Sequence, residues 1–224
     1  KQFEPRRILS LISRAKGDAL SRLAFADSTG SFAEEVAAAA WEIYERILRE
    51  EQALDFDDLL LSTLTLLRDH SDVRTQYRER FQYLHIDEYQ DTNKVQYEIA
   101  RAIASDRPNI CAVGDIDQNI YSWRGASITN IMQFERHFPG AKLILLEQNY
   151  RSTQTIVAVS NTIIEKNKHR MPKTVFTANA AGEPVALYVA YDENDEAQFI
   201  AGTAQTLIAQ GAPASGIAVL FRTN

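Results

Sequence analysis

The sequence has 224 residues, of which 45% are hydrophobic and 24% charged, a balance typical of a globular protein with a buried core. It contains no apolar run long enough to span a bilayer and no N-terminal apolar stretch of the signal-peptide kind, so no membrane association is expected. The net charge of −6 argues against a protein that holds nucleic acid by bulk electrostatics alone, but it does not exclude binding of a single strand by base stacking.

The first part of the chain has helical periodicity. A first helix is indicated by the apolar residues Ile8, Leu9, Leu11 and Ile12. A second helix is predicted over about residues 32–51, because Ser31 and Glu34 stand at capping-box spacing. Its predicted apolar face consists of Phe32, Val36, Ala40, Ile43, Tyr44 and Ile47. Asp55 can cap a third helix, whose apolar residues are Phe56, Leu59, Leu60 and Leu67.

From residue 81 onward, predicted strands alternate with predicted helices. The strands are Phe81–Ile86, Ile110–Val113, Leu143–Leu146, Val185–Val189 and Ile217–Phe221. The helices cover about residues 93–105, 127–137, 152–166, with Ser152 as the cap, and 192–209. This alternation predicts an α/β fold, in which a parallel sheet with crossover helices follows an all-helical segment. A second unit is expected to begin near Glu147–Tyr150.

Cys111 is the only cysteine, so the chain cannot form an internal disulfide. Its apolar neighbours predict a buried, inert thiol. The lack of disulfides and of a signal sequence favours a reducing, cytoplasmic setting.

Two adjacent carboxylates, Asp87 and Glu88, end the strand Leu84–Ile86. Ligands gather at the carboxyl ends of parallel strands, where an Asp can hold Mg²⁺ through water and a neighbouring Glu can orient an attacking water. For an isolated pair, a simpler interpretation is favoured: the two residues solvate a strand end or start the next helix.

Longer strings around this pair resemble motifs of superfamily 1 DNA helicases of the UvrD/Rep/PcrA type. Asp87–Thr92 resembles motif II, Val113–Ala126 resembles motif III and Glu147–Ser152 resembles motif IV. Asp55–Leu59 is similar to the segment that precedes motif II in that family. The motifs stand in the family's order, and the resemblance runs along nearly the whole chain.

The resemblance implies a RecA-like, P-loop NTPase fold. Residues 1–52 would belong to the helical insertion 1B, residues 53–148 to the C-terminal part of motor domain 1A, and residues 149–224 to the start of motor domain 2A. It also implies part of an ATP-dependent helicase that moves 3′ to 5′ on single-stranded DNA and unwinds duplexes. ATP, Mg²⁺, single-stranded DNA and single-strand/duplex junctions are then the expected ligands, in the bacterial cytoplasm or nucleoid.

The same resemblance assigns roles at the ATP site. Asp87 would be the magnesium carboxylate and Glu88 the general base or water-orienting group. Gln118 would sense the γ-phosphate, and its neutral amide can both donate and accept hydrogen bonds. Tyr150 would lie against the adenine ring, and Arg151 would act as an arginine finger on the γ-phosphate. The alternatives are a surface-turn amide for Gln118 and an ordinary surface salt bridge for Arg151.

For DNA, the resemblance points to Trp123 as a base-stacking residue, with Tyr121 and Arg124 beside it. Aromatic faces and a guanidinium suit sequence-independent binding of single strands. A core aromatic pair is the alternative for Tyr121 and Trp123. The basic residues between Lys166 and Lys173 have two interpretations: they complement a helix C-terminus, or they contact the phosphate backbone of DNA.

The chain contains no Gly-Lys pair, although a helicase motor needs a phosphate loop that ends in Gly-Lys-Ser/Thr. We therefore expect an internal fragment that is inactive by itself. Two alternatives stay open: a relative whose motor is fused to a nuclease, and a non-enzymatic module, derived from a helicase, that binds single-stranded DNA or a protein partner.

Overall fold

The computed structural model of the protein describes residues 3–104, 109–120, 126, 128–167 and 171–221. The chain forms two compact units. The first consists of Lys1–Leu146 together with Asn167–Lys173, and the second of Glu147–Lys166 and Thr174–Asn224. The chain thus enters the second unit at Glu147, returns to the first unit for the segment that ends at Lys173, and re-enters the second unit at Thr174.

The first unit begins with helices, as the periodicity predicts. These are α1 (Pro5–Gly17), α2 (Arg22–Asp27), α3 (Phe32–Glu50), α4 (Phe56–Asp69) and α5 (Ser71–Arg80). Alternating elements follow: β1 (Leu84–Ile86), α6 (Lys94–Ala104), β2 (Ile110–Ala112), α7 (Ile128–Met132) and α8 (Phe134–His137). The helix predicted over 127–137 is thus divided in two, with Gln133 between the parts.

Helices α1, α2 and α3 enclose a hydrophobic core around Trp41, which is 1% exposed and packs against the ring of Phe25 at 5.7 Å between centroids. The predicted apolar face of α3 is wrong in part, since Phe32, Ile43 and Ile47 are exposed. The buried face instead follows the small side chains Ala37 and Ala38 to Trp41. Small residues let α1 and α2 approach closely, so that the indole fills the space between the helices.

A buried lysine connects α1 to α4. The ammonium group of Lys16, a residue that is 1% exposed, lies 2.8 Å from the Asp55 carboxylate and 2.6 Å from that of Asp58. Asp55 also caps α4 as predicted, and Asp58 completes the cap, with each carboxylate accepting the other residue's backbone N–H. The hydroxyl of Tyr44 in α3 donates to Asp55 at 3.1 Å. One polar cluster therefore holds three helices in register.

The strands β1 and β2 pair in parallel, with Leu84 opposite Ile110 and Ile86 opposite Ala112, and α6 connects them. This arrangement confirms an α/β protein with a parallel sheet, while the RecA-like arrangement stays a prediction. Along both strands the central residue is exposed and its neighbours are half-buried. Cys111 is the exposed residue of β2, so the prediction of a buried thiol is wrong: the face that it shares with His85 is open to solvent.

The second unit contains β3 (Gln148–Asn149), α9 (Gln154–Ile164), β4 (Phe176–Thr177) and α10 (Glu193–Ala209). Strands β3 and β4 pair in parallel. The residue that precedes α9 is Thr153, not Ser152, and its side chain makes no capping hydrogen bond. The N–H of Gln154 instead donates to the carbonyl of Ala180 at 3.1 Å, so the start of the helix is satisfied by the backbone of a neighbouring segment.

Three predicted strands are wrong. They cover Leu143–Leu146, Val185–Val189 and Ile217–Phe221, which lie outside every described helix and strand. Each segment contains exposed apolar side chains, for example Leu146 in the first, Val189 in the second and Leu220 in the third. Their composition favours extended backbone, but a strand also needs a partner for its N–H and C=O groups. In the described part of the second unit, that pairing is made by β3 and β4.

Among the described residues, no helix combines the length and the apolar character that crossing a membrane requires.

The Lys16 cluster gives a first prediction. Lys16→Met keeps most of the side-chain volume but leaves Asp55 and Asp58 with uncompensated charges in a half-buried site. We expect the free energy of unfolding of the first unit at neutral pH to fall by about 3 kcal/mol, measured by urea denaturation. The matched control is Arg22→Met, which removes an exposed ion pair with Glu42 and should cost less than about 1 kcal/mol. Equal losses in the two variants would contradict the proposed importance of burial.

The same cluster predicts a pH dependence. Burial alone would lower the pKa of Lys16, but hydrogen bonds to Asp55 and Asp58 raise it above 10.5. Burial alone would raise the pKa of Asp55, but hydrogen bonds from Lys16 and from the backbone of Asp58 lower it below 3.8.

A lowered acid pKa contributes stability above the unfolded value, and this stability is lost as the pH falls through the folded value. A raised lysine pKa contributes stability below the unfolded value, and it is lost as the pH rises through the folded value. The stability difference between wild type and Lys16→Met should therefore be constant from about pH 5 to pH 9 and shrink in strong acid and strong base. A difference that persists in strong acid would contradict the ion-pair explanation.

Candidate active site

The two predicted catalytic carboxylates, Asp87 and Glu88, are exposed at the end of β1. The strand pairing continues past them, since the N–H of Val113 donates to the carbonyl of Ile86 at 2.8 Å and the N–H of Tyr89 donates to that of Val113 at 2.9 Å. Between these bonds Glu88 takes a left-handed conformation, with φ 49° and ψ 42°. This turn ends β1 and leads the chain into a short 3₁₀ helix, Tyr89–Asp91.

A buried side-chain amide, that of Gln90, joins the ends of β1 and β2. Its Nε2 donates to the Glu88 carboxylate at 2.7 Å, and its Oε1 accepts the backbone N–H of Asp115 at 2.9 Å. The backbone carbonyl of Gln90 accepts a hydrogen bond from Asn119 Nδ2 at 2.6 Å. Gln90 is 1% exposed, so these bonds form away from water. They fix the Glu88 side chain relative to the backbone of the segment that follows β2.

Gly114 makes room for this amide. A Cβ atom at position 114 would lie 2.6 Å from Gln90 Oε1 and 3.2 Å from the backbone nitrogen of Tyr89. Because Gln90 is held at both ends of its amide, it cannot move aside without breaking a hydrogen bond. Glycine at position 114 is therefore required by the close approach of the two strand ends.

The predicted phosphate sensor, Gln118, lies in the short 3₁₀ helix Ile116–Gln118 beyond β2. Its side chain is exposed, and its Nε2 donates to Asp115 Oδ2 at 2.8 Å. The structure thus brings Asp87, Glu88 and Gln118 to the same end of the sheet. Glu88 and Gln118 are connected through Gln90 and Asp115.

Asp91 belongs to the same string as Asp87 and Glu88 but has a different environment. One of its carboxylate oxygens is buried without a hydrogen-bond partner among the described residues. Burial raises the pKa of Asp91, and the negative charge of Glu88 raises it further. Asp91 therefore lies inside the turn, while Asp87 and Glu88 are open to a ligand.

Motif II binds residues on both sides of the predicted DNA-binding residues, one within motif III and one in the helix that follows it. Asn119 binds Gln90, and Asn130, which is buried in α7, donates to the carbonyl of Thr92 at 3.0 Å. The predicted DNA-binding residues Tyr121, Trp123 and Arg124 lie outside the described residues. Their described neighbours on each side are thus attached to the segment that carries Asp87 and Glu88.

In the second unit, Tyr150 and Arg151 follow β3 directly, and both are exposed. Asn149 Oδ1 accepts the backbone N–H of Arg151 at 2.9 Å and that of Ser152 at 2.7 Å. Asn179 Nδ2 donates to the carbonyls of Tyr150 and Ser152. These contacts fix the backbone and leave both side chains pointing to solvent. In the described part of the chain, Arg151 makes no ion pair, so the surface salt-bridge interpretation finds no partner there.

The carboxylate of Asp87 suits a Mg²⁺ ion that is held mainly by a substrate. Asp87 Oδ1 accepts the N–H of Glu88 at 2.9 Å, and Oδ2 accepts no hydrogen bond within the described ranges. Those ranges contain no group of three acidic, His or Cys side chains that could hold a metal. The Oδ2 atom of Asp87 fits Mg²⁺, which keeps several waters and binds one or two carboxylates plus phosphates.

The sequence assigned no role to Gln90, Asp115 or Asn119, although each lies within a recognised motif. A buried amide cannot be distinguished from a surface amide by residue type. The sequence offers two interpretations of the basic residue Lys173: it complements a helix C-terminus, or it contacts DNA. In the structure, however, α9 ends at Ile164, and Lys173 forms an ion pair with Asp115 in the first unit. The helix-terminus interpretation of Lys173 is therefore wrong.

The close approach at Gly114 can be tested by substitution. Gly114→Ala should lower the free energy of unfolding of the first unit by about 2 kcal/mol, because the methyl group displaces Gln90. Hydrogen exchange of the Asp115 amide should accelerate at the same time, since its acceptor is Gln90 Oε1. Gly30→Ala is the control: its nearest neighbour would be 3.8 Å away, and the change should stay within about 0.5 kcal/mol. Unchanged exchange at Asp115 would show that Gln90 does not need the space.

Known proteins are similar to this sequence along its whole length. Residues 1–139 match the family model described as the UvrD/REP helicase N-terminal domain, and residues 144–224 match that of the UvrD-like helicase C-terminal domain. The ATP-dependent DNA helicases PcrA of Leuconostoc citreum and Bacillus subtilis are each 43% identical over the whole chain, and PcrA of Staphylococcus aureus is 42% identical. The chain spans about 30% of the length of these relatives. Since the N-terminal model alone covers more than half of the residues, the chain belongs to the UvrD/Rep helicase family.

Proposed function

We propose that this chain is part of the motor of an ATP-dependent DNA helicase that moves 3′ to 5′ on single-stranded DNA and unwinds duplexes. The observation that carries the proposal is the Gln90 bridge between Glu88 and the Asp115 backbone. It ties a strand-end carboxylate to the segment that carries a neutral amide, Gln118, in a chain of a helicase family. Phosphoryl transfer to water depends on such positioning of groups around a phosphate.

In the proposed site Asp87 binds Mg²⁺, and the ion supplies charge neutralisation on the phosphates of ATP. Glu88 accepts a hydrogen bond from the attacking water and orients it, and the bond from Gln90 holds the carboxylate in place. The second oxygen of Glu88 accepts no hydrogen bond from the described residues and is left for the water. Both carboxylates are exposed, so a nucleotide can reach them.

Gln118, Tyr150 and Arg151 complete the proposed nucleotide contacts. Gln118 contacts the γ-phosphate, Tyr150 stacks on the adenine, and Arg151 stabilises the charge that develops on the transferred phosphoryl group. Arginine fingers contribute on the order of 10³–10⁵ in rate in related systems. The exposure of Tyr150 and Arg151, with a backbone fixed by Asn149 and Asn179, supports these roles.

For DNA, we propose that Trp123 stacks on a base of the single strand, with Tyr121 and Arg124 beside it, and that the substrate includes single-strand/duplex junctions. The anchors at Asn119 and Asn130 support coupling of this segment to the ATP site. We assign residues 1–52 to a 1B insertion, 53–148 to motor domain 1A and 149–224 to motor domain 2A, in a cytoplasmic enzyme.

The ATP chemistry can be tested at Glu88. In the complete helicase polypeptide, Glu88→Gln should lower DNA-stimulated ATP turnover by about 100-fold or more and leave ATP binding intact, since the amide cannot accept the proton. Glu135→Gln, an exposed change in α8, is the control and should be active. Wild-type activity in Glu88→Gln would refute the assignment.

The 224 residues alone give a second test. Because they contain no Gly-Lys pair of the kind that ends a phosphate loop, we expect no ATP turnover above background in a phosphate-release assay. Magnesium-dependent turnover that Glu88→Gln abolishes would show that these residues form a complete site.

DNA stacking can be measured by fluorescence. Oligo-dT should quench the tryptophan emission of the protein, because base stacking changes the environment of Trp123. Trp123→Phe leaves Trp41, which is 1% exposed in the core of α1–α3, and should abolish the response. An equal response in both proteins would place the DNA effect away from Trp123.

A further inference from the structure

We propose that Lys173 is a positioning residue for ATP hydrolysis, which acts on Gln118 through the carboxylate of Asp115. This inference rests on the proposed function, in which Gln118 contacts the γ-phosphate. It adds a residue from outside the helicase motifs identified in the sequence, 58 positions along the chain from Asp115.

The contact between Lys173 and Asp115 is direct and largely buried. The Lys173 ammonium group donates to Asp115 Oδ1 and lies 3.8 Å from Asp117 Oδ2. The side chains of Lys173 and Asp115 are 17% and 26% exposed, so water screens this pair less than an ordinary surface ion pair. Both residues belong to the first unit.

The two oxygens of Asp115 have separate partners. Oδ1 accepts Lys173 and the backbone N–H of Asp117, at 3.0 Å for the latter, while Oδ2 accepts Gln118 Nε2 at 2.8 Å. Contacts at both oxygens fix the plane of the carboxylate. The Gln118 amide then has one stable orientation, with its NH₂ group toward Asp115, because the flipped amide would place two oxygens against each other.

Lys173 also neutralises charge beside the proposed phosphate. Burial alone would raise the pKa of Asp115, but hydrogen bonds from Lys173, Gln118 and the Asp117 backbone, together with the Lys173 charge, lower it. Asp115 therefore stays ionised and keeps Gln118 oriented. Without Lys173, the same carboxylate would repel an approaching γ-phosphate, which carries negative charge.

The first experiment measures catalysis by the complete helicase polypeptide. Lys173→Met should lower kcat for DNA-stimulated ATP hydrolysis by about tenfold or more, as loss of a supporting partner typically does. ADP lacks the γ-phosphate, so its affinity should be unchanged. Lys173→Arg should restore most of the activity by keeping the charge. Lys142→Met, an exposed change in the same unit, is the control and should match wild type.

A double-mutant cycle separates positioning from general stability. If Lys173 acts through Gln118, adding Lys173→Met to Gln118→Ala should lower kcat by less than about twofold, because the group that Lys173 orients is already gone. A further tenfold loss, or a parallel loss of ADP affinity, would overturn the inference and assign Lys173 a purely structural role.

An independent readout needs no ATP turnover. In the 224-residue protein labelled with ¹⁵N, Lys173→Met should shift the side-chain amide resonances of Gln118, and Lys142→Met should not. If Lys173→Met fails to fold, as judged by circular dichroism, Lys173→Gln replaces it. An unchanged Gln118 resonance overturns the inference whatever the activity. Absence of DNA-stimulated ATP turnover in the wild-type helicase would instead refute the proposed function, and the resonance of Gln118 would still decide the role of Lys173.

Discussion

The buried amide of Gln90 is the interaction on which the candidate site depends. It binds the Glu88 carboxylate with its NH₂ group and the Asp115 backbone with its oxygen, so that two strand ends share one rigid group. A buried amide that loses either partner leaves an unsatisfied polar atom, which makes the arrangement all-or-none. Two neighbouring residues serve the same burial of Gln90. Gly114 gives its side chain space, and the amide of Asn119 donates a hydrogen bond to its backbone carbonyl.

The helices could be predicted from the sequence because their signals are local. Asp55 caps α4 as expected, and the helix predicted over 93–105 is found at Lys94–Ala104. The strands were predicted less well, because an apolar extended segment becomes a strand only when a second segment pairs with it. Leu143–Leu146 has the composition of a strand, but the pairing occurs a few residues later, between Gln148–Asn149 and Phe176–Thr177.

The family could likewise be identified from contiguous motifs, and the comparisons with helicases confirm it. The positions of Asp87 and Glu88 followed from the end of a predicted strand. Gln90 and Lys173 could not have been found in this way. Burial separates Gln90 from any surface amide, and the partner of Lys173 is far away along the chain, so neither role leaves a local pattern in the residues around it.

At Glu88, the backbone conformation and the role proposed for the side chain favour different residues. A left-handed conformation at a residue with a Cβ costs about 1–2 kcal/mol, and glycine or asparagine would adopt it more readily. Neither of those side chains can take a proton from water. The residue best suited to the turn is therefore unsuited to the role proposed for Glu88, and the residue suited to that role weakens the turn. At this one position, selection for a more stable fold would act against the proposed chemistry.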